Sequence, residues 1–435
     1  MWLIKLPADV NQPVMHVACI CPAVPGHLNP AIALGRELVR RGHRVTLISL
    51  LDAEPAVVAG GLDFHPLGQA EFPAGCLAEQ TAILGRLSGR QALKFTLDQL
   101  ALSARVVYRE LPQVALRSGV DGLIVDQIQA AGGTVAEHLK LPFVTICSAL
   151  ATHYEPAVPP FATSWPYQDR WWARLRNRAG WTVIDKLLQP VARLDHQQRQ
   201  DWGLIPYRSA DESYSKLAQI SQQPPGFDFP RQHLPPHFHY VGPLSDAAAR
   251  PDVDFPYDRL TGQPLIYASL GTLQNQMHGV FRAMIQACEG LPAQLVLSLG
   301  RTGSEVRKQL PAGALVVDYA PQMQLLERAA LCITHGGLNT TLEALRCGVP
   351  LVAIPIANDQ PGVATRIAHV GVGEMVPLRQ LTAARLRRAV HRVLQQASYR
   401  QHAQAFQRAI AAHPGPPRAA DIVEQALASR AAVTS

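Results

Sequence analysis

Short apolar runs and segments of helical periodicity alternate along most of the chain. Residues 16–21 form an apolar run, and a helical pattern follows in which Asn29 suits the N-cap and Pro30 the first helical position. The next run, residues 44–50, is rich in branched apolar side chains. A strand, a helix and a strand within about 35 residues predict a βαβ unit, which requires a parallel sheet with a right-handed crossover.

The same alternation recurs further along the chain. Residues 123–126, 130–139 and 143–147 repeat the pattern of strand, helix and strand, and the alternation restarts at Pro264. In this second block, strands are predicted at 265–269, 294–299, 314–317, 331–334 and 351–354. Two such blocks predict an α/β protein made of two doubly wound Rossmann-like domains.

These blocks divide the chain into predicted domains. Residues 1–14 are expected to be an N-terminal extension, and residues 15–245 a first Rossmann-like domain. The turn-rich residues 246–263 are expected to link it to a second domain at 264–415. Residues 416–435 are expected to form a C-terminal helix. This helix could cross back to pack on the first domain.

One segment, residues 156–207, breaks the alternation. It holds four of the six tryptophans, with arginines among them: Trp165, Trp171, Trp172 and Trp181, with Arg170, Arg174, Arg176 and Arg178. One interpretation is an inserted helical hairpin whose aromatic side chains pack on the sheet. The other is an apolar acceptor channel or a membrane-facing patch, because Trp and Arg both favour the membrane interface.

Composition narrows the class of protein. Apolar residues make up 48% of the chain and charged residues 17%, which excludes a disordered protein. A net charge of +7 suits an anionic ligand, but no basic run interleaved with aromatic residues predicts nucleic-acid binding. The 7 cysteines lack metal-ligand spacing and indicate a reducing compartment. Because no run approaches the ~20 apolar residues of a membrane span, we expect a cytoplasmic protein.

The strongest local motif follows the predicted strand at 331–334. A glycine-rich turn at Gly336 and Gly337 leads into a helix that is expected to begin at Asn339 or Thr340. The free backbone N–H groups and positive dipole of such a helix start can bind a diphosphate. His335 could donate to a phosphate oxygen, and Glu343 could pair with ribose hydroxyls. The alternative is an ordinary capped helix in which His335 is a buried hydrogen-bonding residue.

Three further loops follow predicted strands of the second block. Thr272 offers a hydroxyl donor, Tyr319 an aromatic face for a base and Gln322 an amide near that base. Asp359 and Gln360 could hydrogen-bond sugar hydroxyls. Because open α/β sheets bind ligands outside the carboxyl ends of their strands, these loops favour one shared site.

The first block offers a candidate base. His27 lies in the turn after the first strand, and Asp126 ends a later strand, so both are expected at the same edge of the sheet. A carboxylate on one imidazole nitrogen leaves the other nitrogen a competent base toward an alcohol. The alternative is a loop histidine and a strand-end aspartate that never meet.

Together these residues resemble the inverting UDP-glycosyltransferases of the GT-B fold. That family has Trp-Ala-Pro-Gln, then His-x-Gly-x-Asn-Ser/Thr-x-x-Glu, then Asp-Gln. The chain keeps Ala320, Pro321, Gln322, His335, Gly337, Asn339, Thr340, Glu343, Asp359 and Gln360. It departs at Tyr319, where many members have the Trp that stacks on uracil; Tyr can also stack. The resemblance implies that His27 is the catalytic base and that Asp126 orients it.

The resemblance extends to a branch of the family that glucosylates hydroxycarotenoids, through runs such as residues 217–222, 228–231 and 268–274. It implies UDP-glucose as donor and a lipophilic hydroxylated acceptor such as zeaxanthin, with inversion and without a metal or other cofactor. A carotenoid acceptor also implies peripheral contact with the inner face of the membrane. The alternatives are other apolar acceptors (polyketide, flavonoid, sterol or hydroxy-fatty acid), a UDP-sugar 2-epimerase, and a non-catalytic ligand-binding protein.

Overall fold

A computed structural model describes residues 14–87, 89–246, 253–271, 277–300 and 314–434. Within these ranges the chain forms two parallel β-sheets covered by helices, as the sequence predicts. The strands of the first sheet are β1 His16–Ile20, β2 Arg44–Ser49, β3 Asp63–Pro66, β4 Gly122–Asp126, β5 Phe143–Cys147, β6 Gln219–Ser221 and β7 Phe238–Tyr240. Those of the second are β8 Leu265–Ser269, β9 Gln294–Ser298, β10 Leu315–Val317, β11 Ala329–Thr334, β12 Leu351–Ala353 and β13 Gly373–Met375.

The strand order contains one topological switch point in each sheet. The first sheet has the order β3-β2-β1-β4-β5-β6-β7 and the second the order β10-β9-β8-β11-β12-β13. The order reverses direction between β1 and β4 in the first sheet and between β8 and β11 in the second. Doubly wound sheets bind ligands beyond the carboxyl ends of the strands at such points.

The helices cover both faces of the sheets. In the first half they are α1 Pro25–Arg40, α2 Glu54–Ala59, α3 Cys76–Arg86, α4 Gly89–Ser118, α5 Ala130–Leu139 and α6 Trp171–Asp201. In the second half they are α7 His278–Cys288, α8 Gln322–Leu326, α9 Leu338–Arg346, α10 Gln360–His369, α11 Ala383–Gln395, α12 Ala397–Ala412 and α13 Gly415–Ser429.

The last helix packs against the first sheet's helix α1 instead of the second sheet. Arg41, just after α1, forms ion pairs of 2.6 Å with Asp421 and 2.9 Å with Glu424. Apolar side chains of α13, including Val423, belong to the same buried cluster as Leu34 of α1. The end of the chain is therefore anchored on the first sheet. The domain boundaries expected from the sequence stay a prediction.

A second contact joins the two halves beside α10. The buried carboxylate of Asp228 accepts hydrogen bonds from Arg231 at 2.7 Å and from Arg366 of α10 at 2.7 Å. Burial opposes ionisation of Asp228, but the two guanidinium groups hold its pKa far below the usual value. At Gly362 an added Cβ would lie 2.2 Å from the Phe161 carbonyl oxygen, so α10 contacts the first half closely.

Two expectations from the sequence are wrong. Helix α1 begins at Pro25 with Val24 as its N-cap, so Asn29 and Pro30 lie inside the helix. Residues 156–207 contain no helical hairpin among their described residues but an extended segment followed by the single 31-residue helix α6. Pro190 lies inside α6 at an exposed position, where water can satisfy the carbonyl that lacks its helical donor.

No helix in the described part of the chain is both long enough and apolar enough to cross a membrane.

Candidate active site

The carboxyl edge of the first sheet brings together an imidazole and a carboxylate. His27 lies in the first turn of α1, directly after β1, and Asp126 is the last residue of β4. His27 Nδ1 lies 2.9 Å and 3.0 Å from the two carboxylate oxygens of Asp126. The carboxylate is fully buried, and its Oδ1 also accepts from the Ile128 N–H at 3.0 Å. These contacts orient the imidazole and leave Nε2 as the nitrogen available to a substrate.

The surroundings favour a protonated form of this imidazole. Burial alone would lower the pKa of His27, but the charge and hydrogen bond of Asp126, with a smaller contribution from Asp359, raise it above the usual value. The His27 side chain is 15% exposed, so a substrate hydroxyl can reach it. A raised pKa makes the imidazole a stronger base once it is deprotonated.

Across the cleft, the N-terminus of α9 is free of side-chain capping. Helix α9 begins at Leu338, and its N-cap is Gly337 rather than Asn339 or Thr340. The first backbone N–H groups of the helix have no intrahelical acceptor, so they and the helix dipole can bind an anion. Gly336 has φ +82°, and an added Cβ there would lie 3.1 Å from the Gln360 carbonyl oxygen. The turn therefore requires glycine at this position.

His335 lies over this helix start, between two glycines. A Cβ added at Gly337 would lie 2.6 Å from His335 Nε2, and one added at Gly271 would lie 2.8 Å from His335 Cε1. Burial lowers the pKa of His335 to about 4, against a smaller opposite effect of the Ser269 backbone. The ring is therefore neutral near pH 7. Its Nδ1 is buried and has no hydrogen-bond partner among the described residues.

Beside the helix start, buried and partly buried polar side chains form a connected network. Gln322 Nε2 donates to Glu343 Oε2 at 2.5 Å and approaches Thr340 Oγ1 at 3.5 Å. The Tyr267 hydroxyl donates to Gln322 Oε1 at 3.0 Å. Glu343 is only 2% exposed, so its carboxylate is held in place by the protein before any ribose binds. Tyr267, the middle residue of strand β8, is a member of this network that no sequence motif predicts.

Asp359 and Gln360 lie where β12 leads into α10. Asp359 Oδ2 accepts from the Leu150 N–H of the first half at 3.4 Å, and burial raises the pKa of its carboxyl group. Gln360 Oε1 accepts from the Ile356 and Ala357 N–H groups at 2.9 Å and 3.0 Å. Gln360 thus shapes its own loop, and its amide nitrogen is the group that remains for a ligand.

Asn339 joins the two sides of the cleft. Its Nδ2 donates to the Gly26 carbonyl at 3.2 Å, and its Oδ1 accepts from Gln222 at 2.8 Å. The Gly26 carbonyl lacks its helical donor because Pro30 has no N–H. Gly26 precedes His27 directly, so this contact places the predicted base and the predicted diphosphate site at one crevice.

One predicted donor residue lies outside this network. Tyr319 lies between β10 and α8 with 49% of its surface exposed, so its ring face is open to a base. Thr272 lies outside the described residues.

Two buried polar atoms near the His27–Asp126 pair lack partners among the described residues. They are Gln127 Oε1 and Ser148 Oγ, and they belong to the loops that follow β4 and β5. Buried polar atoms usually have a partner, so such atoms mark places where water or a polar ligand completes the site. Neither residue is among the predicted site residues, although both follow strands at the predicted edge.

Within the described ranges, no group of three or more His, Cys, Asp or Glu side chains could hold a metal ion. Whether the reaction uses a metal stays a prediction.

Comparison with known proteins decides the family. The chain is 37% identical over 423 residues to zeaxanthin glucosyltransferase from Pantoea ananas, which covers 97% of this chain and 98% of that protein. The chain belongs to the GT-B glycosyltransferase family. The chain is also 34% identical to the zeaxanthin glucosyltransferase of Pseudescherichia vulneris over 429 residues. That alignment covers 96% of this chain and 100% of that protein.

Two further matches agree with this assignment. The family model described as "Erythromycin biosynthesis protein CIII-like, C-terminal domain" matches residues 282–426. The crystal structure of the kitacinnamycin glycosyltransferase superposes with a TM-score of 0.73 at 24% identity and covers 95% of this chain and 98% of that one. The second match concerns the fold alone. The GT-B fold and the two Rossmann-like sheets expected from the sequence are confirmed.

Proposed function

We propose that this GT-B glycosyltransferase moves glucose from UDP-glucose to a hydroxyl group of a hydroxycarotenoid such as zeaxanthin, with inversion at the anomeric carbon. The proposal rests on one observation. The His27–Asp126 pair lies beside the uncapped start of α9, and the hydrogen bond from Asn339 of α9 to the Gly26 carbonyl joins the two. One side of the crevice suits proton removal, and the other suits a diphosphate.

In the proposed reaction, His27 Nε2 removes the proton of the acceptor hydroxyl while the oxygen attacks the anomeric carbon. Asp126 stabilises the imidazolium that forms. The bond from the anomeric carbon to the β-phosphate oxygen breaks, and the electron pair leaves with UDP. The N–H groups at the start of α9 and the neutral His335 would stabilise the negative charge that collects on the diphosphate. A single displacement converts an α-linked donor into a β-glucoside.

The choice of acceptor rests on the relatives. Two proteins more than 30% identical over nearly the whole chain are named zeaxanthin glucosyltransferases. Glycosyltransferases of one fold differ in their acceptors, because acceptor walls are apolar and carry little chemical identity. Other apolar acceptors are therefore tested beside zeaxanthin.

Metal independence is part of the proposal. The helix dipole, backbone donors and His335 would neutralise the leaving group without a divalent cation.

The test is incubation of the EDTA-treated protein with UDP-glucose and an acceptor panel of zeaxanthin, a flavonoid, a polyketide and a sterol. Mass spectrometry detects the glucoside, and NMR assigns its anomeric configuration. We expect the β-glucoside of zeaxanthin, with the His27→Ala variant as inactive control. Preference for another acceptor would contradict the carotenoid assignment, an α-glucoside would contradict inversion, and activity only after metal is restored would contradict metal independence.

A further inference from the structure

Helix α6 presents large apolar side chains to solvent along one face. The most exposed of these residues are Trp171, Val183 and Leu175, with exposed fractions of 75%, 56% and 53%. Trp172, Leu187 and Leu188 are also among the exposed large apolar residues of the described chain. A surface helix usually directs such residues to the core.

Four of these six residues form a stripe; Trp171 lies beside it next to Leu175, and Leu188 lies on the opposite side of the helix. At 100° per residue, Trp172, Leu175, Val183 and Leu187 fall within about 120° of the helix circumference, and the stripe extends over about 23 Å. The buried residues of the first turns, Ala173, Asn177 and Trp181, point to the other side. The stripe therefore faces outward.

Positive charge lies beside the stripe, mainly on the side of Leu175. Residues 169–193 contain six basic and two acidic side chains, a net charge of +4, which is more than half of the +7 of the whole chain. Arg170, Arg174 and Arg178 are exposed, and Arg174 also pairs with Asp169 at 2.9 Å. This charge complements an anionic surface.

One arginine fixes the aromatic end of the stripe. The Arg176 guanidinium lies 4.9 Å from the Trp165 ring centre and 5.6 Å from that of Trp172. The Trp165 ring in turn lies 2.7 Å from the position of a Cβ added at Gly180. Through Arg176 the exposed Trp172 ring is therefore connected to the Trp165 ring.

We propose that α6 binds an anionic phospholipid bilayer by lying flat in its interface, with the stripe of Trp172, Leu175, Val183 and Leu187 in the headgroup region, together with Trp171. Interfacial helices combine such a stripe with flanking basic residues, and Trp favours this depth. The helix is too polar to cross the bilayer. The inference does not depend on the proposed acceptor.

The test is flotation of the full chain with vesicles of phosphatidylglycerol and phosphatidylethanolamine, compared with vesicles of phosphatidylcholine. We expect the protein to float with the anionic vesicles and to remain at the bottom of the gradient with the neutral ones. The combined variant Trp171→Ser, Trp172→Ser, Leu175→Ser should lose at least about tenfold in vesicle affinity. In the double variant Arg174→Gln, Arg178→Gln, the affinity for anionic vesicles should fall about fivefold for each arginine removed. One basic residue near an anionic surface contributes about 1 kcal/mol.

The control is Leu116→Ser, which removes from α4 a leucine that is 68% exposed, against 53% for Leu175. It should float like the unchanged protein. Failure of the unchanged protein to float with anionic vesicles would overturn the proposal, and so would flotation of the serine variant at full affinity. Light scattering that shows a dimer abolished by the serine variant, without vesicle binding, would instead assign the stripe to a second copy of the chain.

Discussion

The two sides of the cleft each present one histidine, and their surroundings shift the two pKa values in opposite directions. His27 contacts a buried carboxylate, and its pKa is raised despite its own burial. His335 lies between Gly271 and Gly337, and burial lowers its pKa to about 4. One ring is therefore suited to accept a proton, and the other to remain a neutral hydrogen-bond donor.

This difference indicates which kind of substitution should impair each side of the cleft. The first side depends on a charge, Asp126, placed next to the ring. The second side depends on the absence of side chains at Gly336 and Gly337, which lets backbone and ring approach an anion. We therefore expect substitutions on the first side to reduce kcat, and substitutions on the second side to weaken UDP binding.

The largest effect is expected for His27→Ala. Turnover should fall by about 10²- to 10⁴-fold, the usual contribution of a positioned base. UDP affinity should stay within about twofold, because the diphosphate site lies on the other side. Steady-state kinetics and calorimetric UDP titration measure the two effects. The control is His196→Ala, which alters an exposed histidine of α6. Full turnover in His27→Ala would remove the residue from its role.

Asp126→Asn should reduce turnover by about 100-fold, less than loss of the base itself. It also changes the pH dependence. The base acts when deprotonated, so activity rises with pH through the pKa of His27. Without the carboxylate, the effect of burial dominates and lowers the pKa of His27. The acidic limb of the kcat/KM profile should therefore move to lower pH. An acidic limb that does not move would show that a different group titrates.

Gly337→Ala should act on the donor side alone. The added methyl group would lie 2.6 Å from His335 Nε2 and must displace the ring. Loss of one hydrogen bond to a charged phosphate should weaken UDP binding by about 10- to 100-fold. Calorimetry measures this affinity. Gly279→Ala is the matched control, since an added Cβ there meets nothing within 4 Å. Equal UDP affinity of both variants would contradict the assignment of His335.

The smallest effect is expected for the contact that joins the two sides. Asn339→Ala removes hydrogen bonds to Gly26 and Gln222, each contributing about 0.5–1.5 kcal/mol. We expect about a tenfold loss in kcat/KM. Gln222→Ala and the double variant complete a cycle, in which the two losses should be less than additive. Fully additive losses would show that the two side chains act independently.

The sequence was sufficient to predict that the chemical groups would meet. His27 and Asp126 follow parallel strands, and the carboxyl ends of parallel strands share an edge, so the contact of 2.9 Å follows from the topology. The glycine-rich turn at Gly336 and the strands around it were predictable for the same reason. Their catalytic and binding roles stay predictions.

Other features depend on contacts that no local pattern contains. Pro25 and Pro30 both suit the first turn of a helix, and the structure begins α1 at Pro25. Pro30 is tolerated inside because Asn339, more than three hundred residues later, satisfies the Gly26 carbonyl. The three-residue strands β6 and β13 were not predicted because, unlike the equally short β10 and β12, they are not apolar runs. Tertiary pairing forms them.

The most direct measurement is a crystal structure of the protein with UDP bound. We predict that the diphosphate oxygens accept hydrogen bonds from the backbone N–H groups at the start of α9, with His335 beside them and the His27 imidazole facing the same crevice. A nucleotide bound at the first sheet, or a diphosphate remote from Gly337, would contradict the account.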